Sequence, residues 1–246
     1  STHNTFTKNK NNDVSPVFYN SNYDVEIKKN LIYGYGLSHD SFKFEKPKKM
    51  ALELDVYIPK NNFSNRPALV LIHGGGFVGG SKSLPQYVDL SNYFSSRGWV
   101  VFTINYRLLR HYGSLPSEIV KHIDTNYSLL KKNQAKASYP AIRDAKAAIR
   151  WIVSKKDKFG INTNYITVGG GSAGGVSAIA VGITDNEDYR DELETSQDPT
   201  LLSTNLDIGF EVKTILDFWG SKGCVDGVNK IYNKQLYTGN NPPLFI

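Results

Sequence analysis

Residues 165–180 constrain the fold of this chain more than any other segment. They read Tyr-Ile-Thr-Val-Gly-Gly-Gly-Ser-Ala-Gly-Gly-Val-Ser-Ala-Ile-Ala, with glycine two positions before and two positions after Ser172. This G-x-S-x-G spacing is typical of a sharp strand-to-helix turn that exposes a nucleophilic hydroxyl, because larger side chains at those positions would collide with the adjacent strand and helix. It predicts a strand over 166–168, a helix over 173–182 and a catalytic role for Ser172. In a chain with 21 glycines, the alternatives are a chance match and a turn that cradles a phosphate.

A second glycine-rich turn follows a short apolar run. The run Ala-Leu-Val-Leu-Ile at 68–72 is typical of a strand buried on both faces of a parallel sheet, and it ends in His-Gly-Gly-Gly-Phe at 73–77. Successive glycines let backbone N–H groups face a bound oxygen. Acyl transfer needs such donors, because its tetrahedral intermediate carries negative charge on the former carbonyl oxygen. The two turns together predict an oxyanion hole formed by the amides of Gly75, Gly76 and Ala173.

In this order, the two turns make the chain similar to α/β-hydrolases of the carboxylesterase and lipase type, close to the hormone-sensitive-lipase-like esterases. The similarity runs from about residue 25 to the last residue and includes Asn-Tyr-Arg-Leu at 105–108, Tyr-Pro-Ala-Ile-Arg-Asp at 139–144 and Pro-Pro-Leu-Phe-Ile at 242–246. It implies an α/β fold with a mostly parallel central sheet and helices on both faces. It also implies a serine hydrolase that cleaves carboxylic esters through an acyl-enzyme, with no metal or organic cofactor. Many relatives carry Asp before the serine, where this chain has Gly171.

The resemblance also implies an acid and then a histidine after the nucleophile. All the histidines precede Ser172, namely His3, His39, His73, His111 and His122. His73 is interpreted as a structural residue of the glycine loop, and Asp217 lies one strand too early in the family order to be the triad acid. We therefore expect the hydrolase fold to be C-terminally incomplete here, with the acid and the histidine beyond Ile246; the alternative is a natural non-enzyme.

Two other functions stay open beside ester hydrolysis. One is an amide- or formamide-cleaving hydrolase with the same two turns, and the other is a catalytically inactive hydrolase fold used for binding. The formal net charge of +6 comes mostly from lysines before residue 60 and around 131–136. These lysines form no recognisable nucleic-acid-binding module, so we expect a small-molecule ester as partner and no nucleic acid. No apolar run approaches the roughly 18 residues of a membrane span.

The chain has the length of a single domain. We expect a flexible polar arm over 1–22, the hydrolase domain over 23–246, an insertion over 109–138 and an acidic, lid-like segment over 183–211. The remaining predicted elements are an antiparallel edge strand with one solvated face (50–58), strands at 67–72, 99–104 and 212–218, helices at 84–97 and 229–237, and a helix that begins at Pro140 and buries Ile142, Ala145, Ile149 and Ile152.

Overall fold

The structure is a computed structural model that describes residues 13–220, 223–235 and 238–245. Its strands are β1 (Val25–Ser38), β2 (Lys48–Pro59), β3 (Arg66–Ile72), β4 (Val100–Ile104), β5 (Ile161–Gly171), β6 (Thr214–Trp219) and β7 (Leu244–Phe245). Its helices are α1 (Pro85–Ser95), α2 (Ser117–Asn126), α3 (Leu129–Ser154), α4 (Lys156–Phe159), α5 (Ala173–Ile183) and α6 (Gly223–Tyr232), with 3₁₀ turns at Leu109–His111 and Pro199–Ser203.

The described strands form one mixed sheet in the order β1-β2-β4-β3-β5-β6-β7. β2 runs antiparallel to β1 and β4, and every pair from β4 to β7 is parallel. The predicted α/β-hydrolase fold, with a mostly parallel sheet, is thus confirmed. β3 and β5 are neighbours, and Ile72 pairs with Gly170 at their carboxyl ends. The turns that follow these two strands therefore meet at the same edge of the sheet, where catalytic loops of such folds collect.

Helices cover both faces of this sheet. Leu69 and Leu71 pack with Tyr87 of α1 on one face, whereas Val70 and Ile72 face the larger core that contains residues of α3 and α5. Successive side chains of a strand point to opposite faces, so a strand between two helical layers must be apolar at every position. This explains the uninterrupted apolar run of β3.

Helix α3 starts earlier than predicted. The expected start at Pro140 is wrong, because the helix begins at Leu129 and contains the proline. Proline lacks the N–H that would bond the carbonyl four residues before it, so the helix continues with one hydrogen bond missing. The predicted core stripe on this helix is confirmed, since all four of its members are fully or almost fully buried: Ile142, Ala145, Ile149 and Ile152.

Strand β2 is antiparallel, as predicted, but its predicted edge position and solvated face are wrong. β1 is the outer strand, and β2 lies between β1 and β4. Asp55, one of the two acidic residues of this strand, is only 1% exposed and forms an ion pair with Lys82 at 2.8 Å. A buried carboxylate with such a partner can occupy an inner strand.

A buried ion pair also joins α3 to the loop that follows β4. Arg107, which follows β4, donates from its guanidinium to both carboxylate oxygens of Asp144 at 2.8–3.2 Å. Its backbone N–H donates to the same carboxylate at 2.8 Å. Both side chains are at least 97% buried. The two sequence segments 105–108 and 139–144 therefore meet in one structural contact.

Residues 13–22, the described part of the arm predicted over 1–22, lie against the body of the fold. Phe18 N–H donates to the carbonyl of Arg97 at 2.9 Å, and Ser15 N–H donates to that of Asn65 at 3.1 Å. Residues 1–12 of the predicted arm lie outside the described residues. The insertion 109–138 contains a 3₁₀ turn, α2 and the first ten residues of α3.

The acidic segment 183–211 is fixed to α3 by a buried lysine. Lys146 is fully buried, and its ammonium donates to the hydroxyl of Thr184 at 3.0 Å and to the carbonyls of Asp185 and Asp188 at 2.6 and 2.7 Å. The side chains of Asp188 and Asp198 are also buried. Two acidic residues of the segment are therefore structural rather than solvated. The helix predicted over 229–237 is displaced, since α6 spans Gly223–Tyr232; positions 236 and 237 of that prediction lie outside the described residues.

Candidate active site

Ser172 lies in a strained turn between β5 and α5. Its backbone has φ 53° and ψ −122°, and the residue is exposed. A Cβ added to Gly170 would lie 2.5 Å from the carbonyl oxygen of Ile72, and one added to Gly174 would lie 1.9 Å from the same oxygen. Only glycine fits at these two positions, because the turn presses against the end of β3. The predicted strand, turn and helix are all present around Ser172.

The glycine loop after β3 touches this turn. Gly75 and Gly76 have φ of 122° and 65°, values that side chains rarely adopt. A Cβ added to Gly74 would lie 2.8 Å from the carbonyl oxygen of Gly171 and 3.4 Å from the Cβ of Ser172. The structure therefore brings together two turns that are far apart in sequence, because they follow the neighbouring strands β3 and β5.

Carbonyl contacts set the direction of the loop amides. The Nδ1 of His73 lies 2.7 Å from the carbonyl oxygen of Gly74, and the carbonyl of Gly75 accepts from the amide of Val78 at 3.0 Å. In a trans peptide the C=O and the following N–H point in opposite directions. Each contact therefore directs the amide that follows, that of Gly75 or Gly76, away from the group that the carbonyl contacts.

The third predicted donor is fixed in the same way. The carbonyl of Ser172 accepts from the amide of Val176 at 2.9 Å, inside α5, so the amide of Ala173 points out of the helix N-terminus. Within the described part of the chain, the amides of Gly75, Gly76 and Ala173 donate to no other protein group. The N-terminus of α5, where Ala173 lies, favours negative charge.

His73 has the contacts of a structural residue. It is 2% exposed, and its ring stacks on Tyr106 with 4.3 Å between ring centroids. The hydroxyl of Tyr106 donates to the backbone carbonyl of His73 at 2.6 Å. Burial lowers the pKa of His73 from its ordinary value of 6.5, and the hydrogen bond to Gly74 opposes this shift. A neutral, buried ring held in this way supports the interpretation that His73 shapes the loop.

Tyr87 is a site residue that the sequence analysis missed. Its side chain is buried, and its hydroxyl accepts from the amide of Gly171 at 3.1 Å. Burial raises the pKa of Tyr87, while the amides of Gly171 and Gly74 hydrogen-bond its oxygen and oppose the rise. One hydroxyl from α1 thus joins the serine turn to the glycine loop. A tyrosine in an amphipathic helix gives no local signal for this role.

A cavity of about 730 Å³ opens beside Ser172. One wall comes from the insertion 109–138, including Ile119, Ile123 and Tyr127, and another comes from α6. Most of the lining is apolar, as expected for a small-molecule site that positions its ligand with few polar groups. The insertion therefore shapes the space in front of the nucleophile.

No hydrogen bond joins Ser172 to any of the four histidines that the structure describes. His122 does line the same cavity.

Asp217 at the end of β6 is buried, burial raises its pKa, and its Oδ1 has no partner among the described residues. The ranges described also contain no cluster of three or more His, Cys, Asp or Glu side chains able to hold a metal. No described helix is both long enough and apolar enough to cross a bilayer.

The chain resembles named esterases along part of its length. It is 32% identical over 136 residues to esterase LipC of Mycobacterium tuberculosis, a match covering 55% of this chain and 28% of that protein. It is 33% identical over 130 residues to para-nitrobenzyl esterase of Bacillus subtilis, a match covering 53% of this chain and 24% of that protein. The matched region thus spans about a quarter of the length of these relatives.

Solved structures show the same fold. Esterase 2 of Thermogutta terrifontis, in a form phosphorylated by paraoxon, superposes with a TM-score of 0.54 at 21% identity, covering 89% of this chain and 68% of that chain. A model of the carboxylesterase family matches residues 38–188, which include both glycine turns and Ser172. Since this match takes in more than half of the sequence, the chain belongs to the carboxylesterase family.

Proposed function

We propose that the protein is a serine hydrolase that cleaves small carboxylic esters through an acyl-enzyme, with Ser172 as nucleophile. One observation carries the proposal: an exposed serine at a strained turn packs against the glycine loop, and the amides of Gly75, Gly76 and Ala173 have no partner among the described residues. A buried nucleophile, or amides already committed within the fold, could not serve acyl transfer. The family membership and the named esterases among the relatives support the same reaction class.

In the proposed reaction, the Oγ of Ser172 attacks the ester carbonyl, and the negative oxygen that forms accepts from Gly75, Gly76 and Ala173. Loss of one such donor typically costs about 100- to 1000-fold in rate, so three fixed donors account for a large part of the barrier reduction. The alcohol leaves, and water then hydrolyses the acyl-enzyme. The amides need no rearrangement at either step, since local carbonyl contacts already hold them.

A proton acceptor for Ser172 must complete this site, because a serine hydroxyl is a weak nucleophile at its own pKa. The histidines at 39, 73 and 111 are engaged with the backbone around them, and none of them hydrogen-bonds Ser172. His122 lines the same cavity as Ser172 but does not hydrogen-bond it. We infer that a histidine oriented by an acid accepts this proton, as the family order of serine, acid and histidine implies. Experiments on activity use the full-length protein.

The decisive experiment is active-site labelling of the full-length protein with a fluorophosphonate probe. Paraoxon is a suitable second reagent, since it phosphorylates esterase 2 of Thermogutta terrifontis. We expect labelling of the wild type and none of Ser172→Ala. Ser128→Ala is the matched control, because Ser128 is exposed and its side chain accepts no capping hydrogen bond at the N-terminus of α3. Labelling that persists in Ser172→Ala would show that the nucleophile is wrong.

A comparison of two substrates distinguishes an esterase from a formamide hydrolase and from a protein that only binds. A short-chain p-nitrophenyl ester and a formamide, assayed side by side, distinguish an esterase from a formamide hydrolase. We expect turnover of the ester and its loss in Ser172→Ala. A full-length protein that reacts with neither substrate and takes no label would be a binding protein with a hydrolase fold.

A further inference from the structure

Two adjacent leucines project from the junction between α2 and α3. Leu129 is 83% exposed and Leu130 is 95% exposed. Single exposed apolar residues are common on soluble proteins, whereas contiguous exposed apolar groups mark interaction sites. We call residues 127–132 the leucine tip. The side chains of both leucines lie outside the protein core.

The leucine tip borders the cavity beside Ser172. Tyr127 and Lys131, which flank the two leucines in sequence, both line that cavity. A surface that held the leucines would therefore also hold the cavity entrance close to itself. This placement connects the exposed apolar pair to the delivery of substrate.

The charges around the leucine tip are mainly positive. Residues 117–136 contain four lysines and two carboxylates. Asp124 is engaged by Lys136 at 2.8 Å and by Lys132 at 3.7 Å. Lys121 and Lys131 are exposed and form no ion pair with any residue described in the structure. Exposed apolar side chains beside unpaired lysines favour binding to an anionic lipid surface, because buried apolar area and electrostatic attraction add together there.

We propose that the leucine tip docks on an anionic lipid surface and places both leucines among the lipid chains. The lysines then lie at the level of the head groups. Docking brings the cavity entrance to the lipid boundary, so the favoured substrates are esters dissolved in or adsorbed to that surface. The substrate statement rests on the proposed function, whereas the docking itself does not.

Vesicle binding tests docking without any need for activity. Full-length protein carrying Ser172→Ala is sedimented with phosphatidylcholine vesicles that contain or lack phosphatidylglycerol. We expect binding to the anionic vesicles, and a loss of about tenfold or more when Leu129→Ser and Leu130→Ser are combined. Lys131→Glu should weaken binding to anionic vesicles about fivefold or more and leave the weak binding to neutral vesicles unchanged. Leu202→Ser is the matched control, because Leu202 is 72% exposed but lies outside the cavity lining.

Three results would overturn the proposal. The first is no binding of the parent protein to anionic vesicles, and the second is equal binding by the leucine double variant and by Leu202→Ser. The third is evidence that other polypeptide covers the leucine tip. Such evidence is a Tm of the double variant well below that of Leu202→Ser, or a loss of self-association in the double variant alone. Failure of the proposed function has a different result: vesicle binding persists, but fluorophosphonate does not label Ser172.

Discussion

Tyr87→Phe tests whether one hydroxyl holds the two glycine turns together. The substitution keeps the buried ring and removes only the oxygen that accepts from the amide of Gly171 at 3.1 Å and from that of Gly74. No cavity forms, because the ring of Tyr87 stays in its place beneath the turns. The effect on stability and rate therefore reports the lost hydrogen bonds.

The magnitude follows from the cost of an unsatisfied amide. A buried N–H left without an acceptor costs about 1–3 kcal/mol, so the free energy of unfolding should fall by at least that range. In a chain of this length, each kcal/mol lowers Tm by about 2–4 °C. In the full-length protein we expect kcat to fall about tenfold, equivalent to about 1.4 kcal/mol. KM should change little, since the displaced amides act on the transition state.

The assay pairs thermal and urea unfolding with steady-state ester hydrolysis by the full-length protein. Tyr93→Phe is the control, because Tyr93 lies on the same helix but is 48% exposed, and surface substitutions usually stay within about 0.5 kcal/mol. Affinity for a boronate that mimics the tetrahedral intermediate should fall in parallel with kcat. This last measurement distinguishes a positioning role from a purely structural one.

Two outcomes would contradict the role assigned to the Tyr87 hydroxyl. If its phenylalanine variant is as stable as Tyr93→Phe, the hydroxyl contributes no hydrogen bond that matters. If stability falls but kcat and boronate affinity do not, the tyrosine supports the fold without aligning the amides.

Three further predictions concern folding. Asp144→Asn leaves the guanidinium of Arg107 buried without its counter-charge, so the free energy of unfolding, measured in urea, should fall by about 3–5 kcal/mol; a loss below 1 kcal/mol contradicts this. Burial lowers the pKa of Lys146 to about 7, so above that pH the unfolded chain holds a proton that the folded chain has released, and stability must rise with pH. The difference in unfolding free energy between wild type and Lys146→Met should grow by about 1.4 kcal/mol per pH unit between pH 7 and 10, and a flat difference would show that the ammonium stays charged. Gly174→Ala places a methyl group 1.9 Å from the carbonyl oxygen that ends β3 and should destabilise by about 3 kcal/mol or more, whereas Gly227→Ala, in open space on α6, should be neutral or stabilising in the same thermal scan.

The serine turn and the glycine loop were predictable because local geometry dictates their sequences. Gly170 and Gly174 are required by contact with one carbonyl oxygen, and this requirement is written directly in the G-x-S-x-G spacing. The loop before Phe77 is likewise readable, since its glycines adopt positive φ. Parallel neighbours with turns at the same edge then bring the two segments together without further information.

Other features depend on partners that sequence spacing does not reveal. In an alternating strand Asp55 is expected to be solvated, but its partner Lys82 lies in a loop 27 positions away. That ion pair allows the carboxylate to lie in the interior. Pro140 favours a helix start by propensity. In the structure α3 nevertheless continues through Pro140, with buried residues on both sides of it. Tyr87 connects the two turns through backbone amides, which no side-chain pattern identifies.

The uncharged ring of His73 has a consequence for how pH affects the reaction. Burial keeps its pKa below 6.5, so the imidazole gains no proton across the neutral and alkaline range. The carbonyl that it holds, and with it the amide of Gly75, keeps one orientation over that whole range. A kcat/KM profile of the full-length protein should therefore show no ionisation of His73 in the neutral and alkaline range. In the proposed reaction, the orientation of the oxyanion donor at Gly75 is therefore independent of pH in that range.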